Sequence, residues 1–270
     1  MKPASRFLSL LLVAAAAAAC GKDDKAGDGG GGGKDGGKGG AAKEDGGTPK
    51  TKYDKSKATG SIKGVVKFKG TPPEQRMQPK NDAFCKGTGD SPLEATEVNA
   101  DGTVPHVFIH LAKGPHDAMT GFEQKPLVID QKGCVYEPHV SGVMVGQDFT
   151  IKNSDNTTHN VKANATRNDS FNLIQELGKS NTKSFAKKEF VRLNCDVHSW
   201  MSAHVICLEH PFYATSSRTG GTFEIGGLPA GKYTVKAWHE TWAKETGGKT
   251  IGEYEVKDGQ ATEVTIELGQ

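Results

Sequence analysis

The segment with the clearest chemical potential is the run Asn-Cys-Asp-Val-His-Ser-Trp-Met at 194–201. Two residues separate Cys195 from His198, and two more separate His198 from Met201. A loop this short can bring a thiolate, an imidazole and a thioether around a single point. These soft and intermediate donors suit copper better than magnesium or calcium. The spacing therefore predicts a metal-binding loop with three candidate ligands.

A further ligand must come from another part of the chain, and the segment 145–163 offers one. It consists of a strand-like stretch, a polar turn and then His159, with Asn160 beside it. We therefore predict that His159 supplies a second imidazole. Two alternatives stay open at this point. The residues could be ordinary core and turn residues, or they could bind zinc, although zinc prefers a fourth ligand stronger than a thioether.

The region 127–208 resembles the cupredoxins. In that family an Asn-rich strand end precedes a His-Asn pair, and a Cys-x-x-His-x(n)-Met loop joins the last two strands. The loop has the length found in amicyanins, with Ser199 and Trp200 where Pro and Phe would be expected.

This resemblance implies one mononuclear type 1 copper centre that carries single electrons and performs no enzymatic reaction. It implies imidazole ligands at His159 and His198, with the His198 edge near the surface. Cys195 would be the thiolate and Met201 a long axial ligand. Asn160 would tie the two ligand loops together.

Almost every segment beyond residue 59 has the short, β-branched and aromatic composition of a strand, with Gly, Pro, Asn or Asp between segments. The sequence therefore predicts an all-β sandwich protein. The run at 221–235, with its Leu-Pro-Ala-Gly-Lys-Tyr turn, resembles the carboxypeptidase-regulatory, transthyretin-like β-sandwich. We expect that second sandwich at 59–113 and 214–268. The cupredoxin-like Greek-key sandwich, at 114–213, would be inserted in it or packed on it.

The first residues are typical of an export signal. A short basic start precedes an apolar run that is too short to span a bilayer, and 1–19 is predicted as a signal peptide. Ala-Ala-Ala-Cys at 17–20 resembles a bacterial lipobox, which implies lipid on Cys20 and attachment to a membrane of the cell envelope, periplasmic or at the outer membrane. An ordinary secretory signal is the alternative. Residues 20–58 are rich in Gly, Lys and Asp and predict a disordered tether.

The remaining cysteines suggest one disulfide in an exported protein. Cys85 and Cys134 lie in turn-rich segments and are the predicted pair, whereas Cys207 lies in an apolar run and is predicted as a buried thiol. Among the histidines, His106 and His110 share one face of a predicted strand and could form a surface pair.

The charge balance excludes a nucleic-acid tail, because the net charge is only +2 and both signs alternate. Three functions remain open. The chain could be an electron carrier with a redox partner that the sequence does not identify. It could instead store, deliver or sense copper. A non-metal adhesion or carbohydrate-binding lipoprotein is the third possibility.

Overall fold

The computed structural model describes residues 50–269. The predicted signal peptide, Cys20 and the tether up to residue 49 lie outside the described residues. Within 50–269 no helix is long and apolar enough to cross a membrane.

The described chain consists mainly of strands, and the all-β prediction is confirmed. The strands before residue 121 are β1 (Thr51–Lys52), β2 (Gly60–Lys69), β3 (Met77–Gln78), β4 (Ser91–Pro92), β5 (Phe108–Lys113) and β6 (Met119–Thr120). The next nine are β7 (Leu127–Gln131), β8 (Tyr136–Glu137), β9 (Val140–Met144), β10 (Phe149–Asn153), β11 (His159–Asn164), β12 (Phe171–Gln175), β13 (Ser180–Lys183), β14 (Glu189–Asn194) and β15 (Ser202–Leu208). The last five are β16 (Tyr213–Thr215), β17 (Thr222–Leu228), β18 (Gly231–Trp238), β19 (Lys249–Val256) and β20 (Ala261–Gly269).

Helical structure is limited to short turns in the described residues. The one α-helix, α1, covers Ala83–Lys86, and 3-10 turns cover Lys55–Lys57, Glu94–Thr96 and Pro115–Ala118.

The strands β7 to β15 form one sandwich. Its sheets have the orders β13-β10-β7-β8 and β12-β11-β14-β15-β9. Alternation of apolar and polar residues directs one face of each strand inward, as in β14, where Val191 and Leu193 are buried and Arg192 is exposed. A core of seventeen buried residues fills this sandwich, and it includes Cys195 and Met201.

A second sandwich is built from strands on both sides of the first in sequence. Its sheets have the orders β16-β5-β18-β19 and β17-β2-β20, around a separate buried core. Because β2 and β5 precede the first sandwich and β16 to β20 follow it, the first is inserted within the second. Strand β5 thus belongs to the second sandwich, where it pairs with β16 and β18.

The two sandwiches share a small apolar layer of their own. It comprises Phe108, Val140, Ile206, Leu208 and Trp238, with Phe190 and Tyr213 packed against them. This layer fixes the outer face of β14 and β15 against β5 and β18.

The tether prediction is wrong at its C-terminal end. Thr51 and Lys52 pair in parallel with Met119 and Thr120, and Ala58 is buried. Tyr53 explains the difference, because its ring packs 5.3 Å from that of Phe122 and its hydroxyl donates to a backbone carbonyl at 2.8 Å. One aromatic residue is enough to anchor a segment whose composition otherwise favours disorder.

Candidate metal centre

The predicted ligands come together at one end of the inserted sandwich. His159 is the first residue of β11, Cys195 follows β14 directly, and Met201 immediately precedes β15. Strands β14 and β15 pair as a hairpin up to Asn194 and Ser202, so residues 195–201 form the loop at its tip. Because β11 is hydrogen-bonded to β14, His159 lies beside that loop.

The three strongest donors lie close to one another and are shielded from solvent. The Nδ1 atoms of His159 and His198 are 2.8 Å apart, and the Cys195 Sγ lies 3.9 Å from the His198 Nδ1. All three residues are at most 3% exposed. With metal–nitrogen bonds of about 2.0 Å and metal–sulfur bonds of about 2.3 Å, donors on one ion are separated by no more than roughly 4.3 Å. The two distances fit a shared ion.

The loop also positions the weak fourth donor. The Met201 amide donates to the His198 carbonyl at 2.9 Å, and the Cys195 amide donates to the Met201 carbonyl at 3.2 Å. Met201 is 1% exposed and belongs to the same core as Cys195. The backbone of the loop thus places a buried Met201 in the same core as Cys195.

Electrostatics favour the neutral, metal-binding form of His198. Burial and the neighbouring His159 imidazole hold the pKa of His198 below its ordinary value, and Asp82 acts in the opposite direction. A neutral imidazole has a lone pair available for a metal ion.

Asn160 links the two ligand segments through both its backbone and its side chain. Its amide donates to the Cys195 Sγ at 3.4 Å, and its Oδ1 accepts from the Asp196 amide at 2.6 Å. The His198 amide also donates to the Cys195 Sγ, at 3.3 Å. Two backbone donors thus meet at this sulfur and fix its position in the loop.

Asp155 is a site residue that the sequence analysis missed. Its Oδ2 accepts from the His159 Nε2 at 2.9 Å, which leaves the Nδ1 lone pair facing His198. Asp155 is itself held by the amides of Gly133 and Cys134, at 2.6 and 2.7 Å. Its position four residues before His159 was the available signal, because a carboxylate commonly orients a ligating histidine.

The expected exposure of His198 is wrong. His198 is 2% exposed, because the segment that begins α1 covers it. The Cys85 Sγ lies 4.0 Å from the His198 Nε2, the Asp82 Oδ2 lies 3.8 Å from that nitrogen, and the Trp200 ring packs 4.9 Å from the imidazole. The imidazole edge of His198 that was predicted to lie at the surface is instead covered by these protein groups.

A disulfide lies at the centre of the residues that cover His198. Cys85 and Cys134 are joined across a sequence separation of 49, and this is the pair that was predicted from the sequence. Cys195 and Cys207 are free and buried. Two other groups of potential ligands, around Asp82 and Asp155, each depend on a disulfide sulfur and therefore offer no thiolate. Among the groups found within 50–269, His159, Cys195 and His198 form the one whose cysteine is a free thiol.

Comparison with known proteins gives low similarities. No protein-family model and no curated protein matches this chain. A copper-containing nitrite reductase from Thermus scotoductus SA-01 matches with 18% identity and a TM-score of 0.30, over 33% of this chain and 24% of that one. This chain thus spans about a quarter of the reductase.

Two smaller copper proteins match with similar scores. A Cu(I) amicyanin mutant has 20% identity and a TM-score of 0.29, over 30% of this chain and 81% of the amicyanin. A purple cupredoxin from Nitrosopumilus maritimus has 20% identity and a TM-score of 0.27, over 30% of this chain and 97% of that one. Because these scores are low, the case for a metal rests on the geometry of the site.

Replacing Asp155 by Asn is expected to weaken copper binding about 10- to 100-fold, because the amide no longer orients and polarises His159. Competition against a chromogenic copper chelator measures the change. Asp130→Asn is the matched control, since Asp130 pairs with Lys152 at 3.0 Å on the neighbouring strands, outside the site. Equal affinities for the two variants would show that Asp155 does not act on the metal ligand.

Proposed function

We propose that this chain is an envelope-anchored copper protein with one type 1 centre, and that it acts as a one-electron carrier rather than as an enzyme. The observation that carries the proposal is that two imidazole nitrogens and one thiol lie close together and are buried. The His198 Nδ1 is 2.8 Å from the His159 Nδ1 and 3.9 Å from the Cys195 Sγ. Two imidazoles, a thiolate and a weak thioether are the donor set of a blue-copper site.

The main role of the protein residues would be to bind the metal and to exclude water from it. His159, Cys195 and His198 would be the strong ligands and Met201 the weak axial one. Copper held by this donor set supplies reversible one-electron chemistry. Asp155 fixes the tautomer of His159, and the Asn160 amide donates to the thiolate sulfur. These contacts restrict ligand movement, which favours similar geometries in both oxidation states.

Addition of Cu(II) to the purified protein tests the centre directly. We expect one equivalent to produce an intense visible thiolate-to-copper band, and we expect Cys195→Ser to abolish that band. Cys207→Ser is the matched control, because Cys207 is the other free buried cysteine and lies outside the ligand set. Failure of the unaltered protein to develop colour would leave zinc binding or a non-metal role.

Copper storage, delivery or sensing is a second candidate function, and the burial of His198 favours it. A ligand imidazole behind a disulfide and Trp200 has no exposed edge against which a partner could dock. Cyclic voltammetry of the copper-loaded protein separates the candidates. A fast reversible couple supports the carrier, whereas an irreversible or very slow couple supports storage or delivery.

Anchoring to a bacterial envelope membrane through lipid on Cys20 is part of the same proposal. Mass spectrometry of the mature N-terminus provides the test. Diacylated Cys20 as the first residue is expected, and the Cys20→Ser variant is expected in the soluble fraction. An unmodified N-terminus at another position would indicate an ordinary secretory signal.

A further inference from the structure

A cleft of about 610 Å³ opens between the two sandwiches, away from the ligand loop. Its walls come from β14 and β15 of the inserted sandwich and from β5, β18 and the segment after β18 of the second. The volume lies in the range of small-molecule sites, and a position between two packed units is a common place for one.

The lining of the cleft is unusually rich in cations. They are Arg167, Lys188, Arg192, Lys236 and Lys244. Lys188 pairs with Glu209 at 3.2 Å. The side-chain nitrogens of the other four have no carboxylate within 4.0 Å among residues 50–269. Because they come from both sandwiches, the folding of the chain concentrates unpaired positive charge in one concave place.

The acidic residues in the cleft are occupied by other contacts. The Glu189 carboxylate accepts hydrogen bonds from the backbone amides of Thr166, Arg167 and Asn168. Asp117 accepts from the Gly114 amide at 3.1 Å, and Glu209 pairs with Lys188. Five cations against three carboxylates leave the cleft with a formal charge of +2, which attracts an anion.

The floor of the cleft is apolar and aromatic. Phe190 and Trp238 line it, with ring centroids 5.7 Å apart and a tilt of 61°. His110 also lines it and is 6% exposed, whereas the sequence allowed a surface pair. Its Nε2 donates to the Gly247 carbonyl at 2.9 Å, and its Nδ1 has no partner among the described residues. Such an unsatisfied buried atom is often satisfied by a ligand or a water molecule.

We propose that this cleft binds a small organic anion that has an apolar, planar part. The cations of the rim would bind a carboxylate, sulfonate or phosphate group, and the Phe190 and Trp238 rings would contact the planar part. Arg167 and Arg192 suit such groups especially well, because a guanidinium can bind two anionic oxygens at once. A ligand held in this way touches both sandwiches and would stabilise their arrangement.

Fluorescence titration of the full chain with 8-anilinonaphthalene-1-sulfonate tests the proposal. We expect saturable binding of one equivalent, which weakens as salt is added. The neutral analogue N-phenyl-1-naphthylamine has the same aromatic part without the sulfonate, and we expect it to bind at least about tenfold more weakly. Equal binding of both probes would overturn the anion site.

Charge variants locate the binding. Lys236→Gln/Lys244→Gln removes two unpaired cations of the cleft and is expected to weaken sulfonate binding about tenfold. Lys232→Gln/Lys249→Gln removes two exposed lysines of the same sheet outside the cleft and is the matched control. Equal weakening in both variants, or in neither, would contradict the assignment. No copper ligand lines the cleft, so binding is expected with and without copper and is independent of the proposed metal centre.

Discussion

The double variant Cys85→Ala/Cys134→Ala is expected to be about 4 kcal/mol less stable than the unaltered protein. The disulfide closes a loop of 49 residues, and cross-linking a loop of that length lowers the entropy of the unfolded chain by a corresponding amount. For a domain of this size the loss corresponds to a fall in melting temperature of roughly 8 to 16 °C. Thermal and urea unfolding measure both quantities.

Cys207→Ala is the matched control for the disulfide variant. Cys207 is equally buried but free, so its replacement removes only packing, at a cost of about 1 kcal/mol. Addition of a reductant is expected to lower the melting temperature of the unaltered protein to that of the double variant. An unaltered protein whose melting temperature does not respond to reductant would show that this cross-link does not contribute to its stability.

The disulfide has a second consequence, at the candidate metal centre. Cys85 lies in α1, whose N-cap Asp82 accepts from the Phe84 and Cys85 amides. The disulfide attaches this short helix to the segment before β8, directly over His198. Without the cross-link, we expect the covering segment to separate from the site. The burial of His198 therefore depends on this long-range bond as well as on Trp200 in the ligand loop.

The ligand loop could be predicted from sequence because its information is local. Cys195, His198 and Met201 lie within seven residues, and a hairpin between two apolar strands determines their arrangement. The all-β fold followed from the alternation of apolar and polar residues, which is a local signal as well. Both features depend little on which distant segments pack together.

The covering of His198 could not be predicted in the same way. Asp82 and Cys85 are more than 100 residues from His198 in sequence, and no periodic pattern connects them. The burial of His110 likewise arises because β5 packs against the inserted sandwich. These features depend on tertiary contacts, which a single sequence does not encode in a readable pattern.

Replacing His139 by Gln is expected to cost about 3 to 5 kcal/mol near pH 6, because two carboxylates lose the cation between them. The His139 Nε2 contacts the Glu240 carboxylate at 2.5 Å, and its Nδ1 lies 2.9 Å from the Glu94 carboxylate. His139 precedes β9 of the inserted sandwich, whereas Glu240 follows β18 of the second. The ion cluster thus joins the two sandwiches at a place where only 2% of the His139 side chain is exposed.

The dependence on pH distinguishes this charge effect from lost packing. Burial opposes the His139 charge, but Glu240 and Glu94 outweigh it and raise the pKa of His139 to about 10. The stabilisation from His139 is therefore complete below its unfolded pKa of about 6.5 and is lost as the pH rises through 10. Burial also opposes the Glu240 charge, but His139 and His204 lower the pKa of Glu240, so its contribution is present above about 4.5 and is lost in acid.

The difference in unfolding free energy between the unaltered protein and His139→Gln should therefore be largest between pH 4.5 and 6.5. It should shrink towards pH 10, as measured by urea unfolding across that range. Glu240→Gln in the same chain completes a double-mutant cycle. The double variant should lose less stability than the sum of the single losses, because one of the two uncompensated carboxylates is gone. A difference that stays constant from pH 5 to pH 10 would mean that His139 is neutral in the fold, and the contact between the sandwiches would then depend on their apolar layer.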